Sequence, residues 1–278
     1  MNNQFIHTVN SSFKLFLEHE ILQKGESYRN NSGQLFYSKD PRMPNSGTYS
    51  NPYGQWVYDS AISSANIITG IYLNGQFLPQ GTSGLVIDYN GRAILPFKTN
   101  KTVTANYAVK DFNIYSTSKS EDKLIYNTKL KFQQQYNVPK SGLPPNGEVA
   151  PCIYLRQTNS RNEPFAFAGQ DNSIYNYRAV VMSDSEYKLD GIGSIFQDLN
   201  DRVCQILPNS PFNRYGGLVS GNYNYLDDVA ANYDPNQFLY IESSFDRFDA
   251  DIQNDIDLNI YLGIADFSLQ IARFPRIT

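Results

Sequence analysis

The side chains able to do chemistry in this chain are few, and their spacing decides what they can do. There are two histidines, His7 and His19. A Ser-His-Asp or Cys-His mechanism needs an imidazole beside its nucleophile. Neither histidine lies near a Ser or Cys in a strained elbow, and neither Gly-X-Ser-X-Gly nor His-Glu-X-X-His occurs. His19-Glu20 reads as a surface pair on an amphipathic helix. The sharpest candidate is the acidic group Asp246, Asp249, Asp251, Asp255 and Asp257, because calcium wants several converging carboxylates. Asp249-X-Asp251 opens like a calcium loop, but Asn254 stands where the sharp-turn glycine belongs, and Leu258 to Tyr261 offers no bidentate glutamate. The group therefore reads as a hairpin turn flanked by a solvated strand face. A glycosidase needs two carboxylates across a cleft, which spacing alone does not establish.

Three other features carry less. Gly191-Ile-Gly193 has Phe196 where a phosphate-binding turn would place its third glycine, so it predicts close helix-to-sheet contact. Tyr215, Tyr223 and Tyr225 fall among turn residues and read as exposed; a surface that stacks sugars or grips a protein and ordinary loop aromatics both stay open. Cys152 and Cys204 read as packed thiols, too few for a disulfide framework or a cysteine zinc site. No catalytic, cofactor-binding or metal-ligating residue is assigned, no cofactor is expected, and the chain is not read as an enzyme.

Composition excludes other classes. Charged residues are 18% and hydrophobic ones 41%, with a mean hydropathy of −0.46 and a pI near 5.2. The polarity comes mainly from Asn, Ser, Gln and Thr. A net charge of −4 without any Lys/Arg run argues against sequence-specific nucleic-acid binding and anionic membranes. No apolar run is long enough to span a bilayer, and Met1 to His7 lacks the form of a signal peptide.

The elements that must position these residues follow from pattern. Asn10-Ser11-Ser12 caps a helix through Phe13, Phe16, Leu17 and Ile21 that stops at Gly25. Asn30 to Gly54 reads as an extended arm or long loop with a short strand at Gln34–Tyr37. Asn74-Gly75 and Asn90-Gly91 each predict a type I′ hairpin, giving a β-meander over Ile71–Tyr115. Lys123–Phe132 alternates like a strand, and Val138–Gly147 is the best linker. Strands follow at Cys152–Arg156 and Tyr175–Met182. Leu189, Ile192, Phe196, Leu199, Val203 and Ile206 recur at helical spacing, with Ser183 and Asp184 as the cap and Pro208 as the stop. Asn209 to Asn236 reads as loop, and alternating strands occupy Phe238–Phe248 and Ile256–Ile264. The expected fold class is α+β: residues 1–46 form a helix and arm, 47–138 a meander or sandwich-like lobe, and 139–278 a lobe with a long helix packed on an antiparallel or mixed sheet.

Gly70-Ile-Tyr-Leu-Asn-Gly-Gln-Phe, Gly84-Leu-Val-Ile-Asp-Tyr-Asn-Gly-Arg-Ala-Ile-Leu and Val103-Thr-Ala-Asn-Tyr together resemble a segment of uncharacterised virion structural proteins of tailed bacteriophages. Glu163-Pro-Phe-Ala-Phe-Ala-Gly, Tyr177-Arg-Ala-Val-Val-Met-Ser-Asp-Ser and Lys188-Leu-Asp-Gly-Ile-Gly-Ser-Ile-Phe-Gln-Asp-Leu are similar to their second half. The resemblance implies a non-enzymatic neck or tail subunit at the head-to-tail connection: a connector, completion or terminator protein that assembles in the host cytoplasm into a homo-oligomeric ring and docks other virion proteins. It carries no functional residue with it. The second expectation is a carbohydrate- or receptor-binding tail-fibre or baseplate module using Tyr223, Tyr225 and the Asp246–Asp257 carboxylates with calcium. The third is a glycan hydrolase.

Overall fold

The computed structural model describes residues 5–52, 55–127, 131–132, 148–164, 170–208, 211, 221–248 and 260–273. The fold is α+β and rich in strand, as expected. Helix α1 (Phe5–Gly25) is its axis. Val9, Phe13, Leu15, Phe16, Leu17, Ile21 and Leu22 are buried on all its sides, the pattern of a helix enclosed by protein. The expected amphipathic surface helix is therefore corrected to a central one, and so is its cap. The helix already runs from Phe5, and Ser12 sits inside it. There Ser12 donates to the Thr8 carbonyl at 2.8 Å and accepts the Leu207 amide at 2.9 Å. A serine that bonds back one turn is accommodated within a helix, which is why the cap signal misled.

Strands β1 (Tyr28–Gln34), β2 (Phe36–Tyr37), β3 (Gly47–Ser50), β4 (Gly70–Leu73), β5 (Gln76–Pro79), β6 (Val86–Asp88), β7 (Arg92–Leu95) and β8 (Val103–Lys110) form two four-stranded sheets, ordered β1-β8-β4-β5 and β2-β3-β7-β6. The expected arm over Asn30–Gly54 is thus built into both. Its polar β1 is ordered by backbone pairing with β8, from Tyr28 opposite Lys110 to Gln34 opposite Thr104. Asn74 and Gly75, at φ 49° and 84°, close the β4–β5 hairpin as the sequence predicts. The second hairpin differs. Asp88 pairs with Arg92, leaving a three-residue loop in which Gly91 alone is left-handed, at φ 77°; such loops need one positive φ where a type I′ turn needs two. The two hairpins lie in different sheets, so the expected meander is split. Both sheets close on one core, which includes Ile71, Tyr107 and Val109 from the first and Tyr49, Ile87 and Leu95 from the second.

The third large sheet draws on both halves of the sequence. After β9 (Asn113–Ser116) come α2 (Glu121–Asn127), the short β10 (Lys131–Phe132) and β11 (Val149–Ala150), then β12 (Cys152–Pro164), β13 (Asp171–Ser183), α3 (Glu186–Gln197), β14 (Arg202–Gln205), α4 (Tyr225–Ala231), β15 (Phe238–Arg247) and β16 (Tyr261–Arg273). The sheet order is β14-β15-β16-β13-β12-β9, antiparallel except where β9 meets β12. The strand expected over Lys123–Phe132 is instead begun by α2, whose first turn carries Glu121 and Asp122, charges that favour a helix start. The long helix expected to reach Ile206 ends at Gln197. Asp201, at φ 62°, turns the chain into β14, so Val203 lies on a strand and is half exposed. The cap residue is Ser185, and Asp184 pairs with Lys188. The Asn209–Asn236 loop holds α4, capped by the Asn224 side chain. The Val138–Gly147 linker lies outside the described residues.

Alternation fixes what each face of this sheet does. Tyr175, Tyr177, Ala179 and Val181 of β13, with Ala265, Phe267 and Leu269 of β16, are buried in the same core as α1 and α3. Phe13 sits 5.0 Å from Tyr177 and 5.3 Å from Phe267, ring centre to ring centre. On the opposite face one end is apolar, where Leu124 of α2 joins Cys152, Tyr154, Val180, Met182 and Leu262. The other end is polar and open.

Candidate functional site

Buried charge gathers where α1 meets the smaller sheets. Glu18 and Lys110, both nearly inaccessible, form an ion pair. Tyr89, held in the three-residue loop, donates its hydroxyl to the other oxygen of Glu18, and Tyr223 reaches Oε1 at 3.4 Å. Lys110 Nζ also lies over the Tyr58 and Tyr89 rings, at 5.7 and 5.2 Å from their centres. A buried pair is tolerable only when the remaining lone pairs and protons are satisfied, and this one is. Tyr58 shapes the loop that supplies Tyr89, donating to the Asp88 carbonyl at 2.6 Å and accepting the Gly91 amide at 3.0 Å. Burial raises the hydroxyl pKa of Tyr58, Tyr89 and Tyr223 well above the ordinary value, and the Glu18 charge adds to the shift. Lys14, one turn before Glu18, is brought down to about 8 by burial, opposed by the Glu18 charge and helped by that of Lys110.

On a neighbouring stripe of α1, His19 Nδ1 bonds Asp59 Oδ2 at 2.6 Å, and the imidazole stacks on Tyr225. The expected surface pair is therefore corrected: His19 is buried. A carboxylate on Nδ1 is the arrangement that orients a catalytic histidine. No Ser, Thr or Cys side chain bonds the other ring nitrogen among the described residues, and no substrate reaches a ring so enclosed. Tyr223 and Tyr225, expected to be exposed, are both buried and serve this interior; Tyr215 lies outside the described residues. Both cysteines are free, buried thiols, with burial raising their pKa far above the ordinary range.

A second polar cluster pins the segment expected to be an arm. Arg42 binds Asp40 through its backbone amide and guanidinium, and Arg92 Nη1 lies 3.1 Å from Asp40 Oδ2. These donors, Arg42 foremost, lower the Asp40 carboxyl to about 2.

The open end of the six-stranded sheet carries a polar lattice. Arg178 clamps Asp266 in bidentate fashion at 2.6 and 2.7 Å and reaches Glu121 at 3.0 Å. Arg178 and Asp266, with Asn176, Glu242, Ser244 and Ser268, border a shallow cleft of 410 Å³. Of the acidic candidates, Asp246 is exposed near the end of β15, and Asp249, Asp251, Asp255 and Asp257 lie outside the described residues. Among the described residues no three His, Cys, Asp or Glu converge as a metal site, and no helix is long and apolar enough to cross a membrane. Gly193 does permit the close contact expected of it, packing against Phe245, whereas Gly191 faces open space. No protein-family model matches the chain, and a search of curated proteins finds no match either.

Sequence reasoning missed Glu18, Asp59, Tyr89 and Lys110. The available signal was local: Glu18, His19 and Glu20 interrupt an otherwise apolar run from Leu15 to Leu22.

Proposed function

We propose that this chain is a non-enzymatic structural subunit of a tailed-phage virion, placed at the head-to-tail connection as a neck, connector, tail-completion or terminator protein. It acts by ring assembly and by docking neighbouring subunits. The observation that carries this reading is the β12–β13 hairpin. β9 pairs with β12 only over Cys152–Leu155. Among the described residues no strand covers the outer edge from Gln157 to Pro164, although β13 follows the inner edge to its end. Such an edge is a template for another chain. The bulge between Gln157 and Asn159, the charges of Arg161 and Glu163, and Pro164 all oppose indiscriminate pairing, so a partner has to match them. The rest of the body suits the role. The buried acids Glu18, Asp40 and Asp59 are tied to Lys110, Arg92 and His19 inside the body, which leaves the docking elements outside it. The likeness of Gly70–Phe77 and Tyr177–Ser185 to phage virion proteins points the same way.

Mass spectrometry of purified particles and sedimentation of the isolated chain test this reading. The chain is expected in the particle at a fixed copy number, and a low-resolution image should place it at the neck or tail end. A strictly monomeric chain absent from particles overturns the proposal.

The second reading, a carbohydrate- or receptor-binding module, draws on the 410 Å³ polar cleft around Arg178 and Asp266; Tyr223 and Tyr225 are buried and offer it no stacking surface. Glycan-array binding that disappears in Asp266→Ala would promote it.

A further inference from the structure

Beyond any role in assembly, a second cleft has the chemistry of a ligand site. It measures 570 Å³ and lies between the first turns of α1 and the far ends of β12, β13 and β16, within the size range that takes small molecules. Its polar wall is rich in donors: Arg161, Arg273, His7 and Asn162 border it, and among the described residues no carboxylate does. In a chain of net charge −4, a wall with two guanidiniums, of which only Arg161 has a described carboxylate partner, Glu163, requires an explanation.

Arg273 is the centre of the argument. Among the described residues it makes no ion pair, although Asp171 stands opposite it in the sheet register. Its Nε is sealed from solvent, and no described residue gives it an acceptor. The guanidinium is held by an aromatic face, 4.3 Å from the Phe5 ring centre, and Phe5 in turn packs on the buried Tyr175 at 6.2 Å. Cation–π contact fixes a guanidinium's position while leaving its charge unneutralised. Native structures seldom leave a buried donor unpaired without a reason. The neighbours fit the same purpose. Arg161 spends Nε on Glu163 at 2.7 Å, which leaves its two amino groups. Ser173 donates to Asn162 Oδ1 at 2.8 Å, so the Asn162 amide nitrogen keeps its donors.

We propose that this cleft binds a carboxylate or phosphate group borne by a small polar ligand. Arg273 is the anchor, Arg161 and the Asn162 amide are supplementary donors, and Phe5 and Tyr175 form the apolar wall. Planar, bidentate recognition of such oxyanions is what a guanidinium provides and an ammonium does not.

The test is isothermal titration of the full chain with inorganic phosphate and, separately, with citrate, at constant ionic strength held by chloride. One-to-one binding of at least one probe is expected. It should weaken about ten- to hundredfold in Arg273→Gln, the loss of a charged hydrogen bond, and remain weakened in Arg273→Lys. Preference between the two probes identifies the phosphate or the carboxylate as the better fit. Circular dichroism checks folding, and Arg161→Gln, on an exposed strand, gives a second reading with a smaller loss should Arg273→Gln unfold. Absence of binding by both probes, or equal binding by wild type and the Arg273 and Arg161 variants, overturns the proposal.

Discussion

The carboxylate of Asp59 joins three segments that are distant in sequence: Oδ2 lies 2.6 Å from His19 Nδ1 of α1, and Oδ1 accepts the Ala61 and Tyr225 amides at 3.0 Å each. The imidazole it orients lies flat on Tyr225, 4.6 Å between ring centres. Asp59 is fully buried, so Asp59→Ala leaves an imidazole and two amides without an acceptor. The expected loss is about 3–5 kcal/mol of unfolding free energy, read by urea denaturation. Asp59→Asn keeps the shape and one acceptor oxygen and should cost distinctly less. Equal losses would mean that packing, and not the hydrogen bonds, holds this junction.

Glu18 and Lys110 allow a sharper separation of charge from shape. Removing either leaves the other buried and unpaired, and each of Glu18→Leu and Lys110→Met is expected to cost about 3–5 kcal/mol. The double variant restores an apolar contact, and it should be far more stable than the sum of the single losses predicts. A thermodynamic cycle in urea reads the coupling directly. Additive losses would show that the two side chains act independently.

These two ties explain why the interior was less legible than the outline. The β4–β5 turn is local: Asn74-Gly75 carries its own backbone preference, and the hairpin formed where the sequence placed it. The alternation read over Ile256–Ile264 was less reliable: Ala265, on its expected wet face, is fully buried in the core, because α2 covers the other face at Leu262 and leaves both faces apolar there. Glu18 and Lys110 stand 92 positions apart, and no local pattern tells a buried ion pair from two solvated charges. The arm over Asn30–Gly54 failed for a related reason, since β1 is held by its backbone register with β8 and not by an apolar face. Tyr223 and Tyr225 were misread because glycines and asparagines around them signal a loop, whereas burial depends on the Tyr223 contact with the Asp59 segment. The helical stripe from Leu189 to Ile206 was cut at Asp201, whose left-handed turn is common enough for Asp and Asn to outweigh the apolar spacing.

Gly191 and Gly193, two positions apart on α3, should respond in opposite directions to the same substitution. A Cβ at Gly193 would stand 2.5 Å from Phe245 Cε1, and the same ring is confined from the other side by Gly263. Gly193→Ala therefore forces the ring out of its slot and is expected to destabilise the fold by about 1–3 kcal/mol. A Cβ at Gly191 meets nothing within 4 Å. Gly191→Ala should stabilise by roughly 0.5–1 kcal/mol, the helical advantage of alanine over glycine. Thermal melts of the two variants check the pair, and a shift in the same direction for both would contradict the slot.

The pH dependence of stability follows from the shifted groups, with a different sign at each end. Asp40 falls from 3.8 to about 2 in the folded chain. Its contribution is complete above the unfolded value and is lost as pH drops from about 4 through 2, so Asp40→Asn should flatten the acid limb of a stability curve. Lys14 drops from 10.5 to about 8; between those values the unfolded chain holds more protons than the folded one, and this group alone makes stability rise with pH. The tyrosines act in reverse. Tyr58, Tyr89 and Tyr223 keep their protons well above the ordinary 10.0 because they are buried, so above that pH the folded chain binds more protons and stability falls. The expected curve is level or gently rising from pH 8 to 10 and drops beyond it, with tyrosinate absorbance and loss of circular dichroism appearing together. In Lys14→Met the gentle rise should vanish while the drop stays. Tyrosinate forming in advance of unfolding would place these hydroxyls in contact with solvent and contradict the sealed interior.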